Sequence, residues 1–178
     1  LSLGAKGVLN RKDFNCWGQL PTVNGPEFKD YMKESRKFGK AIWELTDKKD
    51  VDIVFEHPGE STFPVSVFVV KRGGMVVICA GTTGFNLTMD ARFLWMRQKR
   101  VQGSHFANLK QASAANQLVI NRRIDPGMSE VFPWEDIPAA HDKMLDNKHL
   151  PGNMAVLVTS PKPGLRTVED VLAVNGQA

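Results

Sequence analysis

Arg100-Val101-Gln102-Gly103-Ser104-His105-Phe106-Ala107-Asn108 is the stretch on which the fold turns. It reads as a short strand ending in a histidine, with an aromatic behind it and an asparagine placed to cap a helix. That helix runs from Leu109 to about Arg122, with Leu109, Ala112, Ala115 and Val119 on one face. In an α/β protein, ligands gather at the carboxyl ends of strands, which makes His105 a candidate for chemistry.

Upstream, the same pattern recurs. Met75-Val76-Val77-Ile78-Cys79-Ala80 is an apolar run suited to a buried strand, and it enters Gly81-Thr82-Thr83-Gly84. A short helix over Asp90 to Gln98 links it to Arg100. Val51-Asp52-Ile53-Val54-Phe55 is a second buried parallel strand, stopped by Glu56-His57-Pro58-Gly59. Ser61 or Thr62 then caps a helix with Pro64 in its first turn and Gly73-Gly74 at its end. Further back, Gly25-Pro26-Glu27 opens an amphipathic helix over 26–46, with Phe28, Met32, Phe38, Ile42 and Leu45 at helical spacing and Gly39 as its weak point. The loop from Lys12 to Asn24 precedes it, and Gly4 to Arg11 reads as a small-residue turn feeding a first short strand.

Strand and helix thus alternate four times. The pattern predicts an α/β fold: a Rossmann-type doubly wound parallel sheet with right-handed crossovers and helices on both faces. All its strands point one way, so the segments beginning at Glu56, Gly81 and His105 should share one edge. Glycine-rich and polar strand ends suit a nucleotide, since the backbone can approach closely and donors are at hand.

After Asp125-Pro126-Gly127 the style changes. A strand over Ser129 to Phe132, a helix from Ile137 to Asn147 with Ile137, Ala140 and Met144 inward, and a strand from Met154 to Val158 belong to another unit. A boundary is expected near residue 124. From Thr159 onward Pro161, Pro163 and Gly164 mark a tail, with one helical turn near Val168 to Leu172.

Composition narrows the function classes. Of 178 residues, 42% are hydrophobic and 24% charged, the balance of an ordinary globular protein. No apolar run is long enough for a bilayer, and Leu1-Ser2-Leu3-Gly4 does not read as a signal peptide. Two cysteines, Cys16 and Cys79, provide neither a disulfide framework nor metal-ligand spacing, so no metal and a reducing, cytoplasmic setting are expected. A net charge of +4, with basic residues scattered except around Arg97 to Arg100, falls short of a nucleic-acid footprint. The abrupt start, without an initiator methionine, leads us to expect a piece of something longer.

Three stretches carry a resemblance: Arg97 to Phe106 before a helix, Phe132-Pro133-Trp134-Glu135-Asp136-Ile137-Pro138-Ala139-Ala140-His141, and Pro151 to Leu157. With them the chain resembles the closing half of the medium-chain dehydrogenase/reductase superfamily. Val51 to Gly59, Gly73 to Phe85, Gly103 to Asn108 and the long insertion around Asp13 to Lys40 are most similar to the crotonyl-CoA carboxylase/reductases. The resemblance implies that 1–124 is the latter part of an NADPH-binding Rossmann domain. Residues 125–160 would be a return segment of a GroES-like catalytic domain, and 161–178 a tail. The family's glycine-rich diphosphate loop and its preceding catalytic domain have no counterpart in these residues, so the active enzyme is expected to need them. What the resemblance implies chemically is reductive carboxylation of a 2-enoyl-CoA: NADPH reduces crotonyl-CoA and carbon dioxide is fixed to give ethylmalonyl-CoA, without biotin or metal, in a homo-oligomer (a tetramer by resemblance). The alternatives are a non-carboxylating enoyl-CoA (acryloyl-CoA) reductase and a non-catalytic assembly module.

Each residue has two readings. Through the family His105 anchors carbon dioxide; by itself it is a strand-end histidine satisfied by a backbone carbonyl. Phe106 either presents its backbone to the nicotinamide amide or belongs to the core, and Asn108 is a helix cap before it is a ligand. The resemblance places His57 at the cofactor ribose, against a plain turn made by Pro58 and Gly59. Ala80, Gly81 and Thr82, or Thr83, admit the nicotinamide half. Arg11 matches a position near the adenosine 2′-phosphate, against a solvated loop arginine. Arg97, Lys99 and Arg100 form a solvated face or meet CoA phosphates, and Cys79 is a small buried hydrophobe.

Overall fold

The computed structural model describes residues 4–158, and these divide into two compact units that meet in sequence between Phe106 and Ala107. The expected helical turn at 168–172 and the tail lie outside the described residues. In the first unit α1 (Phe28–Leu45), β1 (Val51–Glu56), α2 (Phe63–Val69), β2 (Val70–Ile78), α3 (Ala91–Trp95) and β3 (Arg100–Gly103) follow in order. The three strands form one parallel sheet in the order β1-β2-β3, so the chain is mixed α/β as its alternation predicts.

The helix over 26–46 appears as α1 and runs through Gly39, where a Cβ would lie 3.8 Å from the Phe68 ring of α2. Its apolar stripe drives burial: Tyr31 and Met32 close a cluster with Phe14, Cys16 and Val65. A second cluster of Phe63, Val67, Val70 and Val76 locks α2 onto β2. Among the described residues no helix is long and apolar enough to cross a membrane.

Four expectations for the first unit are corrected. Residues 4–10 form no strand: Asn10 instead caps a 3-10 turn at Arg11–Asp13 by accepting from Lys12 N at 3.1 Å, and Val8 is exposed. A strand needs a neighbouring ladder, and no described backbone pairs with this stretch. Helix α2 stops at Val69, ahead of Gly73-Gly74, which instead lie inside β2. There β2 bulges, since Val51 pairs with Val70 but Ile53 already pairs with Met75. Gly73 takes φ +70° and donates to Arg97 O at 3.0 Å, a conformation that favours glycine. Strand β1 is not buried on both faces, because Ile53 and Phe55 are 60% and 68% exposed. Finally, β3 ends at Gly103, two residues before His105.

In the second unit α4 (Leu109–Ile120) begins at Asn108 as expected, yet every residue along it is exposed. β4 (Met128–Phe132), α5 (Ile137–Leu145) and β5 (Asn153–Val156) form a strand-helix-strand with the two strands parallel. They make a separate sheet, as the change of style at residue 125 suggests. Ala140 is buried on α5, whereas Met144, expected inward, is half exposed. Glu130 of β4 accepts from Leu150 N at 2.7 Å and pairs with Lys143 of α5, tying the unit together.

Candidate functional site

Register brings the strand ends level. Glu56 pairs with Ile78 and Ile78 with Gly103, so one row crosses the whole sheet where the strands stop. The next residues along each strand are His57, Cys79-Ala80-Gly81 and Ser104-His105, and they emerge from the same edge. Main-chain bonds from Cys79 N to Glu56 O (3.2 Å) and Ser104 N to Ile78 O (2.8 Å) carry the pairing one step further.

At β1 the turn is held from inside. Glu56 is 2% exposed, and its carboxylate accepts from Gly59 N at 3.0 Å, Thr62 Oγ1 at 2.5 Å and the Ser66 hydroxyl. A buried carboxylate is tolerated only when hydrogen bonds replace its lost water, and these three supply them. Gly59 has φ +84°, and a Cβ there would stand 2.9 Å from Gly81 Cα. The turns after β1 and β2 therefore touch through two glycines.

The turn after β2 separates the two threonines. Thr83 is structural: its N and Oγ1 donate to Pro58 O at 2.9 and 2.8 Å, and its hydroxyl accepts from Ser61 N at 3.0 Å. Thr82 is exposed, with its Oγ1 3.4 Å from both His57 Nδ1 and His57 O. At that distance its hydroxyl and the His57 ring keep most of their hydrogen-bonding capacity for something else. Gly84 N closes the turn on Gly81 O at 3.1 Å, and the Phe85 ring lies against Gly81 where a side chain would collide.

Beyond β3, His105 and Phe106 are both exposed, with ring centroids 4.0 Å apart in an edge-to-face arrangement. Phe106 is 90% exposed within the described residues and sits at φ +48°. A bulky residue in the left-handed region is strained, and such strain gathers at functional positions. Among the described residues no carbonyl accepts from the His105 ring. Asn108 is the helix cap: its Oδ1 accepts from Gln111 N at 2.9 Å while the Gln111 side chain accepts from Asn108 N at 3.0 Å.

Arg11 does not follow a strand. Its guanidinium lies 5.4 Å from the Trp17 ring centre, and Trp17 Nε1 donates to Arg11 O at 2.7 Å. The loop then reaches the turn after β1 through Gly18 N to Ser61 O (2.6 Å) and Gln19 Nε2 to Glu60 Oε1 (2.5 Å). Arg11 is thus one loop removed from the strand-end row rather than part of it.

A cavity of about 550 Å³ lies at the other end of the strands, beside Val51 and Val70. Arg36, Trp43, Phe68, Phe93, Arg97 and Lys99 line it. Lys99 donates to the last carbonyls of α2, Val67 O at 2.7 Å and Phe68 O at 2.8 Å, while burial and then nearby Arg97 push its pKa down to about 8. Arg97 and Lys99 therefore line a hollow, and Arg100 donates to Gly73 O at 3.2 Å. Glu56 is the residue that sequence reasoning passed over. Its signal was a lone acid at the last position of an apolar strand, just before Pro58-Gly59. Among the described residues no three of His, Cys, Asp and Glu stand together as metal ligands.

Comparison with known proteins identifies the family. The family model described as zinc-binding dehydrogenase matches residues 24–121. Crotonyl-CoA carboxylase/reductase of Cereibacter sphaeroides is 71% identical across 100% of this chain, which covers 42% of that protein. A solved crotonyl-CoA carboxylase/reductase superposes with a TM-score of 0.87 at 74% identity, over 97% of this chain and 41% of its own. The crotonyl-CoA carboxylase/reductase AntE, solved in complex with NADP, gives 0.85 at 45% identity, over 90% of this chain and 40% of its own. The chain thus spans less than half the length of the relatives it matches.

Proposed function

Because the chain belongs to the zinc-binding dehydrogenase family, we propose that it is part of an NADPH-dependent crotonyl-CoA carboxylase/reductase. The observation that carries this reading is the single row Glu56–Ile78–Gly103, from which His57, Thr82 and His105 emerge on one edge. Support for the cofactor comes from AntE, which was solved with NADP, and from the polar strand-end edge that carries His57 and Thr82. Bound NADPH would supply a hydride to the β-carbon of a 2-enoyl-CoA, leaving electron density at the α-carbon to take up carbon dioxide.

In this reading His57 and the Thr82 hydroxyl meet the ribose and nicotinamide side, with the Ala80 and Gly81 backbone admitting the ring. Phe106, held at positive φ, offers its main chain to the nicotinamide amide. His105 donates to a carbon dioxide oxygen as that oxygen gains negative charge. Arg11 serves the adenosine 2′-phosphate through the loop that abuts the turn after β1. Residues 1–124 are assigned to the nucleotide-binding domain, 125–160 to the return segment of a catalytic domain and 161–178 to a tail. The active form is assigned as a cytoplasmic tetramer of the longer chain, with enoyl-CoA and carbon dioxide as its substrates.

The test is made on the full-length protein, with NADPH, crotonyl-CoA and bicarbonate. His105→Asn should still oxidise NADPH while shifting product from the carboxylated to the merely reduced acyl-CoA, by mass spectrometry. An unchanged product ratio removes His105 from carbon dioxide binding. Product mass that never depends on bicarbonate in the wild type identifies a non-carboxylating reductase instead.

A further inference from the structure

We propose that Glu56 is a positioning residue of the cofactor side, which sets the spacing between His57 and Thr82 from beneath. This rests on the proposed binding of NADPH at the strand-end edge. The carboxylate sits at the last position of β1, almost fully buried, and among the described residues it forms no ion pair. A charge placed there without a counter-ion is held only by directed donors, and all three come from the segment that follows it. Gly59 N belongs to the turn that carries His57, while Thr62 and Ser66 belong to the entry and second turn of α2.

The bonds differ in what they control. The Gly59 bond holds the turn at φ +84° with its Cα side against Gly81. Pro58 O, in the same turn, receives both donors of Thr83. Thr82 is the next residue back along that turn, facing His57 at 3.4 Å. Releasing Glu56 therefore frees the turn after β1 to drift from the turn after β2, and the two polar groups separate. The Ser66 bond reaches only α2, behind the turn, so its loss should weaken packing without moving His57. Glutamine at 56 retains an acceptor for Gly59, and the Ser66 hydroxyl can rotate to accept from the new amide.

The experiment uses the full-length enzyme and reads KM for NADPH, kcat and Tm together. Glu56→Ala should raise KM for NADPH by about tenfold with kcat little changed, the signature of lost uniform binding. Glu56→Gln should restore KM to within about threefold of wild type, since most acceptors survive. Ser66→Ala should lower Tm while leaving KM for NADPH as it was. If Glu56→Ala does not fold, Glu56→Asp, whose shorter carboxylate withdraws from Gly59, takes its place with the same expected rise in KM. A fall in Tm with KM unmoved in the Glu56 variants makes Glu56 a packing residue only and overturns the proposal. A wild-type enzyme that neither binds nor oxidises NADPH overturns the nucleotide reading, and this inference with it.

Discussion

Helices α1 and α4 both follow from periodic apolar residues and clear start signals, but they end in opposite surroundings. α1 has no side-chain cap at its amino end, yet Tyr31, Met32 and Ser35 are buried beneath it. α4 has a complete capping box, and none of its residues is buried. The difference teaches that a helix start is a local matter, decided by a few residues competing for orphan N–H groups. The burial of a helix face is decided by what lies opposite, and in α1 that is Phe14, Cys16 and Val65. Most helix stability in proteins comes from that second source.

The sharpest way to break this comparison is to remove buried volume from α1. Met32→Ala should destabilise the first unit by about 2–5 kcal/mol in urea unfolding, whereas Leu109→Ala on α4 should stay within about 0.5 kcal/mol. Equal effects would mean that burial does not separate the two helices. Chemistry offers the next largest contrast. Cys16, in the α1 cluster, is 1% exposed, and burial pushes its thiol from 9.0 up to about 11. Its thiolate population at pH 8 should then be about a hundredfold below that of an ordinary thiol. Iodoacetamide at pH 8 should therefore label Cys79 first, and both cysteines together only in denaturant, as followed by mass spectrometry. The sign for stability follows. The fold favours the protonated thiol, so its contribution is complete below pH 9 and is lost as pH rises towards 11. Cys16→Ala should remove that part of the alkaline loss. The smallest effect belongs to α4: Asn108→Ala should cost about 1 kcal/mol of local helix stability, visible as faster amide exchange at its amino end. The exchange of α1 should not change.

Legibility in the sequence followed the same division. Asn108 announced the start of its helix, and the apolar runs at 51–55 and 75–80 announced parallel strands. Helix α1 was readable through Gly39 because Phe28, Met32 and Phe38 keep their spacing across it. The candidate site was half legible. That Glu56, Gly81 and His105 begin three segments at one edge followed from strand direction alone. That Thr83 is consumed by Pro58 and Ser61 while Thr82 faces His57 did not, since neighbouring threonines look alike in one dimension. Nor did the role of Glu56, whose partners lie up to ten residues ahead on another element.

By itself, then, the sequence determined the alternation of strand and helix, the helix starts and the direction in which strand ends point. Each of these depends on periodicity and on bonds that close within a few residues. Only the tertiary structure decided which faces are covered, which of two threonines remains available, and that the first seven described residues form no strand. Those outcomes depend on partners distant in the chain: a ladder neighbour for Val8, a core for α4, and buried donors for a carboxylate without a counter-ion. No local pattern encodes whether such a partner is present.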